Sequence, residues 1–224
     1  MTPLAASPNL IDQVYDRILQ GIADHSLPPG HRIRQHELAE RLGVSRQPVS
    51  HALHLLHRQG LVAESGRKGF EVTRLDPVRL RQLYEVRGAI DGLAARLAAL
   101  RAAADPRGCE TLEHALQAGR VIDDTAPLSA LTAADVAFHS AIYQLSGNPA
   151  IQETVAPQWP HMRRAMAAVL DGLAYRASAW AEHEAIVAAI LAGQADAAQA
   201  LAQTHALTAG RNIEQRLTAP DRAA

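Results

Sequence analysis

From Asp76 to its end the chain keeps one pattern, Ala- and Leu-rich runs with apolar residues at three-and-four spacing, broken only by short polar or Gly/Pro interruptions. Such a stretch cannot build a sizeable sheet. β-Branched and aromatic residues are sparse in it, while Ala and Leu lead the helix-propensity scale. Asp76-Pro77 supplies a cap and a first-turn proline, and helical character persists to about Ala104. The interruptions "DPRG", "DDTAP", "SGNP", "DG" and "AGQ" divide the remainder into about six helices. An antiparallel helical bundle over residues 76–224 is expected.

Residues 1–75 follow a different grammar. A helix is expected from about Leu10 to Ala23, with Ile11, Val14, Tyr15, Ile18, Leu19 and Ile22 on one face. "SLPPGHRI" breaks it, and "HELAERL" (36–42) forms a short second helix ended by Gly43. In "VSRQPVSHALHLLHRQG", Ser45 stands as a helix cap and Pro48 falls in the first turn. Val49, Ala52, Leu53 and Leu56 form the apolar stripe, and Gly60 ends the helix. The period then changes: Leu61–Ala63 and Phe70–Thr73 are β-prone runs around a Gly-, Arg- and Lys-bearing turn. The expected fold is mainly α: an N-terminal winged helix-turn-helix with a small β-hairpin wing over 1–75, then the C-terminal antiparallel α-helical bundle.

Composition narrows the function classes. The apolar fraction of 48% over 224 residues is enough for a core in each of two units. A single cysteine, Cys109, cannot form an intramolecular disulfide, which fits a reducing cytoplasm. The N-terminus has no basic region followed by an apolar run, and no stretch reaches the length of a membrane span, so no membrane partner is expected. Net charge is −1, but residues 1–75 carry nine Lys/Arg against seven Asp/Glu and six of the eleven histidines. The first unit is slightly basic, a faint electrostatic pointer to DNA.

A recognition helix presents its N-terminal side chains to base edges in the major groove. Here these are Arg46, Gln47 and Ser50, with His51 next. Arg suits guanine O6/N7, Gln suits adenine N6/N7, and Ser reaches phosphate or base. Arg67 and Lys68 in the hairpin would meet phosphates or the minor groove, with Gly69 allowing close backbone approach. The stretch "PGHRIRQHELAERLGVSRQPVSHALHLLHRQGLV", followed by "GRKGFEV", resembles the DNA-binding domain of the GntR family of bacterial transcriptional regulators. That resemblance covers residues 10 to 75 and implies binding to double-stranded operator DNA. Where the family usually has Arg and Glu after "PV", this chain has Ser50 and His51, and His36 replaces an arginine common in the preceding helix. Arg46 is retained, so DNA binding is expected with a changed half-site preference.

In the helical half, "DVAFH" sets Asp135 and His139 four apart, on one helical face. His183 and His205 lie at equal distances from the break near Gln194, so an antiparallel hairpin brings them level, facing each other. Asp135 and His139 could supply a second pair from a neighbouring helix. Three imidazoles and a carboxylate suit a divalent transition metal, Zn²⁺ first, with Ni²⁺, Mn²⁺ or Fe²⁺ as alternatives. Four solvent-facing residues would show the same spacing. "LYEVRGAIDGLAARLAA", "DVAFHSAIYQLSGNP" and "EHEAIVAAILAGQADAAQALAQTH" resemble the FCD effector domain of the FadR-like GntR branch. In metal-binding members the ligands occupy the positions of Asp135, His139, His183 and His205. The resemblance also places Arg87 at the effector cavity, where a guanidinium would bind a carboxylate bidentately. A simple surface pair between Arg87 and Asp91 is the alternative. Asn148 reads as a helix cap and Tyr84 as a wall of the cavity.

Together these features describe a ligand-responsive regulator, not an enzyme. It is expected to be a homodimer on a two-fold operator, a repressor, and responsive to a metal and a small organic acid whose carboxylate meets the metal and Arg87. The rivals are a metal-dependent hydrolase-like enzyme fused to a DNA-binding domain, and a metal-free dimerisation bundle.

Overall fold

The structure, a computed structural model, describes residues 10–66, 69–123, 125–169 and 173–219. It is mainly helical and forms two compact units, Met1–Leu75 and Asp76–Ala224.

In the first unit α1 (Leu10–Ala23) packs on α3 (Arg46–Arg58), and α2 (Gln35–Leu42) precedes α3 across a tight turn. The turn is made by Gly43, which sits at φ 65° and donates its N–H to the carbonyls of Ala39 and Glu40. A left-handed residue is what such a helix end requires, and glycine adopts it without a Cβ clash. Ser45 occupies the position before α3 in extended conformation, but its hydroxyl makes no capping bond. The hairpin strands are β2 (Val62–Ser65) and β3 (Gly69–Val72), and a third strand, β1 (Arg32–Ile33), pairs with the far edge of β3. Sheet order is β1-β3-β2, antiparallel throughout, with Ile33 opposite Phe70 and Val62 opposite Val72. Val14, Ile18, Ile22, Leu53, Leu56, Leu61, Phe70 and Val72 close one core between the helices and this sheet.

The second unit is built on α4 (Pro77–Ala104), whose first turn is capped by Asp76: its side chain accepts from the N–H groups of Val78 and Arg79. A cap of this kind contributes about 1 kcal/mol. After a short 3₁₀ turn come α5 (Glu110–Arg120), α6 (Leu128–Ser146), α7 (Pro149–Val155), α8 (Trp159–Val169), α9 (Leu173–Leu191) and α10 (Ala195–Thr218). The alanine richness has a packing cause. α10 lies most extensively along α4, burying Ala198, Ala202, Ala206, Ala209 and Gly210 against Ala94, Ala95, Gly88 and Gly92. A Cβ on Gly92 would stand 3.2 Å from the Gln199 carbonyl, so small residues set the approach of the two helices. As expected, Asn148 caps α7, accepting from the N–H of Ala150 at 3.2 Å.

Candidate nucleic-acid interface and candidate metal centre

Five of the predicted DNA-facing residues, His36, Arg46, Gln47, Ser50 and Gly69, line one open depression of about 720 Å³ in the first unit, together with His51. Arg46, Gln47 and His51 are exposed on the first turns of α3, where the apolar stripe leaves them no place in the core. Arg67 and Lys68 lie outside the described residues. The same depression takes in Arg32, Arg34 and Gln35, which sequence reasoning passed over. Their signal was present: in "RIR" the strand period turns Ile33 into the core and both arginines outward. Arg34 pairs with Glu37 at 2.7 Å and His36 with Glu40 at 3.4 Å, both on the exposed surface. Gly69 has a local reason as well, since a Cβ there would come within 2.9 Å of the Ser65 carbonyl across the hairpin.

The four candidate ligands come from three helices of the second unit: Asp135 and His139 from α6, His183 from α9 and His205 from α10. All are buried, His183 completely. Ligand nitrogens of His139, His183 and His205 fall within 4.8 Å of one another. The Nε2 atoms of His183 and His205 face each other at 3.1 Å, close to the roughly 3.3 Å that separates two nitrogens on one tetrahedral metal. Asp135 completes the ring: its Oδ1 is 3.7 Å from His183 Nε2, and its Oδ2 is 3.7 Å from His139 Nε2. His139 Nε2 and Asp135 Oδ2 are buried without a hydrogen-bond partner among the described residues. Leaving such atoms unmade costs about 1–3 kcal/mol each.

Electrostatics prepare these groups. Burial holds the His139 imidazole well below its ordinary pKa, helped by Arg87, His183 and His205. Burial does the same for His183, with His205 and Arg87 adding to it. Both rings are therefore neutral, the form that offers a lone pair. Burial raises the Asp135 carboxyl, against the opposing pull of Arg87 and His205. Aromatic walls fix the rings: Phe138 stacks on His183 at 4.0 Å between centroids, and Trp180 meets it edge-on at 4.7 Å. Trp180 in turn lies over Gly119 of α5, where any Cβ would overlap its indole.

A second layer of polar groups surrounds the four candidate residues. His205 Nδ1 is 2.7 Å from Glu182 Oε2, and His139 Nδ1 is 3.5 Å from Asp91 Oδ2. Asp91 also accepts from Arg87 Nε at 3.1 Å and from the Tyr143 hydroxyl. The Arg87–Asp91 pair is thus present, but both side chains are only 2–3% exposed, so it is no surface pair. The Arg87 guanidinium lies between the Tyr84 and Trp159 rings, 5.3 and 5.2 Å from their centroids. Burial is the largest influence and works to lower its pKa, but Asp91 together with Tyr143, Tyr84 and Asp135 outweighs it, and the net shift is upward. Arg87 Nη2 and the Tyr84 hydroxyl are buried without a well-formed hydrogen bond, and burial pushes the Tyr84 phenol up to about 12. Both residues line a cavity of about 20 Å³ with Asp135, His205 and the apolar side chains of Met166, Val169, Ala179, Ala209 and Ile213. Asp91, Tyr143 and Glu182 were not foreseen as parts of the site, because nothing in their spacing joins them to ligands on other helices.

A winged helix-turn-helix followed by an all-helical unit with an interior histidine cluster defines a two-part regulatory protein. Family models agree: residues 10–72 match "Bacterial regulatory proteins, gntR family" and residues 82–208 match the FCD domain. The chain belongs to the gntR family of transcriptional regulators, in its FCD-containing branch, and not to a family of enzymes. It is 34% identical over 153 residues to an HTH-type transcriptional regulator in an unstable DNA locus of Streptomyces ambofaciens, a match covering 68% of this chain and 63% of that one. A probable D-xylose utilization operon transcriptional repressor of Paenarthrobacter nicotinovorans is 29% identical, over 62% of this chain and 60% of its own. The crystal structure of a putative transcriptional regulator GntR from Rhodococcus sp. RHA1 shares the fold, with a TM-score of 0.74 at 24% identity, covering 91% of this chain and 96% of that one. Among the described residues no helix is long and apolar enough to cross a membrane.

Proposed function

We propose that the protein is a cytoplasmic, homodimeric repressor that binds a two-fold operator and responds to a divalent metal with a small organic acid. The reading is carried by the meeting of His36, Arg46, Gln47, Ser50, Arg32 and Arg34 around one depression at the start of α3. That face offers base-reading and phosphate-reading donors together, as a major-groove reader needs. The depression is short, so a tight site calls for two copies. α4 offers a surface for pairing them: Val86, Leu93 and Leu100 are 60, 45 and 51% exposed, with partly buried Ile90 and Leu97 between them. Positions 86, 90, 93, 97 and 100 alternate four and three apart, the spacing of a helix–helix seam.

For the metal, the donor set is the support: three neutral or paired imidazoles and one carboxylate, with unsatisfied atoms turned inward. Asp135, His139, His183 and His205 would hold it, zinc by preference, with nickel, manganese or iron also compatible with this chemistry. Bound there, the ion supplies a Lewis-acid position for an oxygen ligand. For the acid, Arg87 and Tyr84 line a cavity with Asp135, Tyr175, His205 and five apolar side chains, and Arg87 Nη2 and the Tyr84 hydroxyl there lack a well-formed hydrogen bond. The Arg87 guanidinium and the neighbouring metal position both favour a carboxylate, with apolar walls for the body of the acid. At about 20 Å³ the cavity has room for roughly one water, so an organic acid enters only if its walls separate. An acid therefore favours a more open arrangement, and its differential affinity for that arrangement is what would alter DNA binding.

The test is selection of bound sequences from random duplex DNA by the purified protein, with zinc and with chelator. Enrichment of a two-fold symmetric site is expected, with affinity that depends on metal loading. Recovery of no sequence above non-specific binding would refute the operator reading.

A further inference from the structure

Asp91 sits at a junction that neither DNA reading nor metal ligation accounts for. Its carboxylate is buried, two donors from two helices bond to it, and an imidazole nitrogen of His139 lies beside it at 3.5 Å. Oδ1 takes the Tyr143 hydroxyl. Oδ2 takes Arg87 Nε at 3.1 Å and is also the atom nearest His139 Nδ1, at 3.5 Å. A neutral imidazole carries one N–H. If Nε2 of His139 gives its lone pair to a metal, the proton must reside on Nδ1, and Asp91 Oδ2 is the acceptor placed to receive it. That same oxygen is the counter-ion of the Arg87 guanidinium, which lines the cavity and whose Nη2 lacks a well-formed hydrogen bond.

We infer that Asp91 is a positioning residue through which the metal ligand His139 and the anion-binding Arg87 sense one another, by sharing one carboxylate oxygen. A stronger hold of Oδ2 by Arg87 weakens its hold on the His139 N–H, and the reverse. Metal and anion are then linked through a single atom. The inference rests on the metal reading proposed above. It goes further in assigning Asp91 as the link, not merely as the partner of an arginine.

The test is metal affinity by competition titration of the full chain against a zinc chelator, with nickel as a second probe. In Asp91→Asn, zinc binding should weaken by about 10–100-fold, the range for loss of such a supporting carboxylate. Asp91→Glu, which keeps the charge, should recover most of that loss. Arg87→Gln should change zinc affinity in the wild-type background and leave it nearly unchanged in the Asp91→Asn background. An equal change in both backgrounds would mean direct charge repulsion by Arg87 and would overturn the link. If Asp91→Asn fails to fold, the wild-type protein answers instead. Imidazole ¹⁵N–¹H spectra of the zinc-loaded chain should show His139 in the Nδ1–H form, and an Nε2–H form would overturn the inference. A wild-type chain that binds neither metal removes the underlying metal reading, whereas metal binding unaffected by Asp91→Asn removes the inference alone.

Discussion

His183→Ala separates a metal-binding bundle from one that merely packs histidines. His183 is fully buried, stacked on Phe138 and edged by Trp180, so truncation opens a hole in the bundle. Lost packing of a ring this size costs about 3 kcal/mol. The buried Nδ1 that lacks a partner disappears with the ring, a relief of about 1–2 kcal/mol, but His205 Nε2 loses its partner at 3.1 Å, a cost of similar size. The metal-free variant should therefore fold and be about 3 kcal/mol less stable, a fall of roughly 6–12 °C in melting temperature. The response to metal is the sharper discriminant. At free zinc one hundred times its Kd, the wild-type helical unit gains about 2.7 kcal/mol, or roughly 5–11 °C. The variant loses one of three imidazoles and the nitrogen nearest His205, so this gain should vanish. Both of the chain's tryptophans lie beside the cluster, Trp180 against His183 and Trp159 within 6.3 Å of the His139 ring, so intrinsic fluorescence reports on the right unit. Melts followed at tryptophan emission, with chelator and with zinc or nickel, provide the measurement. A metal-induced rise in His183→Ala as large as in wild type would refute the reasoning.

Two further outcomes test the other surfaces. Arg46→Ala should cost about 1–3 kcal/mol on the selected operator and relax sequence preference at one position, whereas Arg32→Ala should weaken all duplexes alike and reduce the salt slope by about 1. Titrations of labelled duplexes at several salt concentrations distinguish the two, and equal behaviour of both variants would contradict the division of roles. Leu93→Glu places a charge in the exposed seam of α4, where the leucine is 45% exposed, and should convert the dimer to monomer in sedimentation without lowering helix content. A dimer that persists would move the pairing surface elsewhere.

Much of this molecule could be read from local pattern. α1 spans Leu10–Ala23, as its apolar spacing predicts, because an isolated amphipathic stripe needs only one partner surface. The meeting of His183 and His205 was also legible, since their equal reach from the turn depends only on helix rise. The third strand was not. Arg32 and Ile33 make a two-residue strand that exists only because β3 offers an edge, and no propensity encodes a partner 37 residues away. Ser45 occupies the expected cap position, yet its hydroxyl does not cap, because residue type fixes the opportunity and rotamer fixes the bond. Asp91 looked like a routine partner for Arg87 at four-residue spacing. Its contact with His139 depends on how α4 and α6 pack, which the pattern of neither helix contains.

The placement of these residues on α4 carries the most weight for how such a protein could respond. One helix of 28 residues, about 42 Å long, presents Arg87 and Asp91 inward and Val86, Leu93 and Leu100 outward. It begins at Pro77, immediately after the first unit ends at Leu75. A helix packed on α10 through glycine and alanine resists local bending toward it, because even a Cβ added at Gly88 or Gly92 would stand only 3.4 or 3.2 Å from the Gln203 or Gln199 carbonyl. Any adjustment at Arg87 must be met by rotation or translation of α4 as a body, or by separation of α8 and α9 on the other side of the cavity. The first route would alter the exposed seam directly, and the second would leave it untouched. Leu93→Glu therefore bears on mechanism as well as assembly. If the monomer it produces still binds metal with wild-type affinity, the site is complete within one chain and is not coupled to the seam, since linkage allows no one-way effect. If metal affinity falls together with the dimer, the seam supports the site, and α4 transmits in both directions, as reciprocal linkage requires.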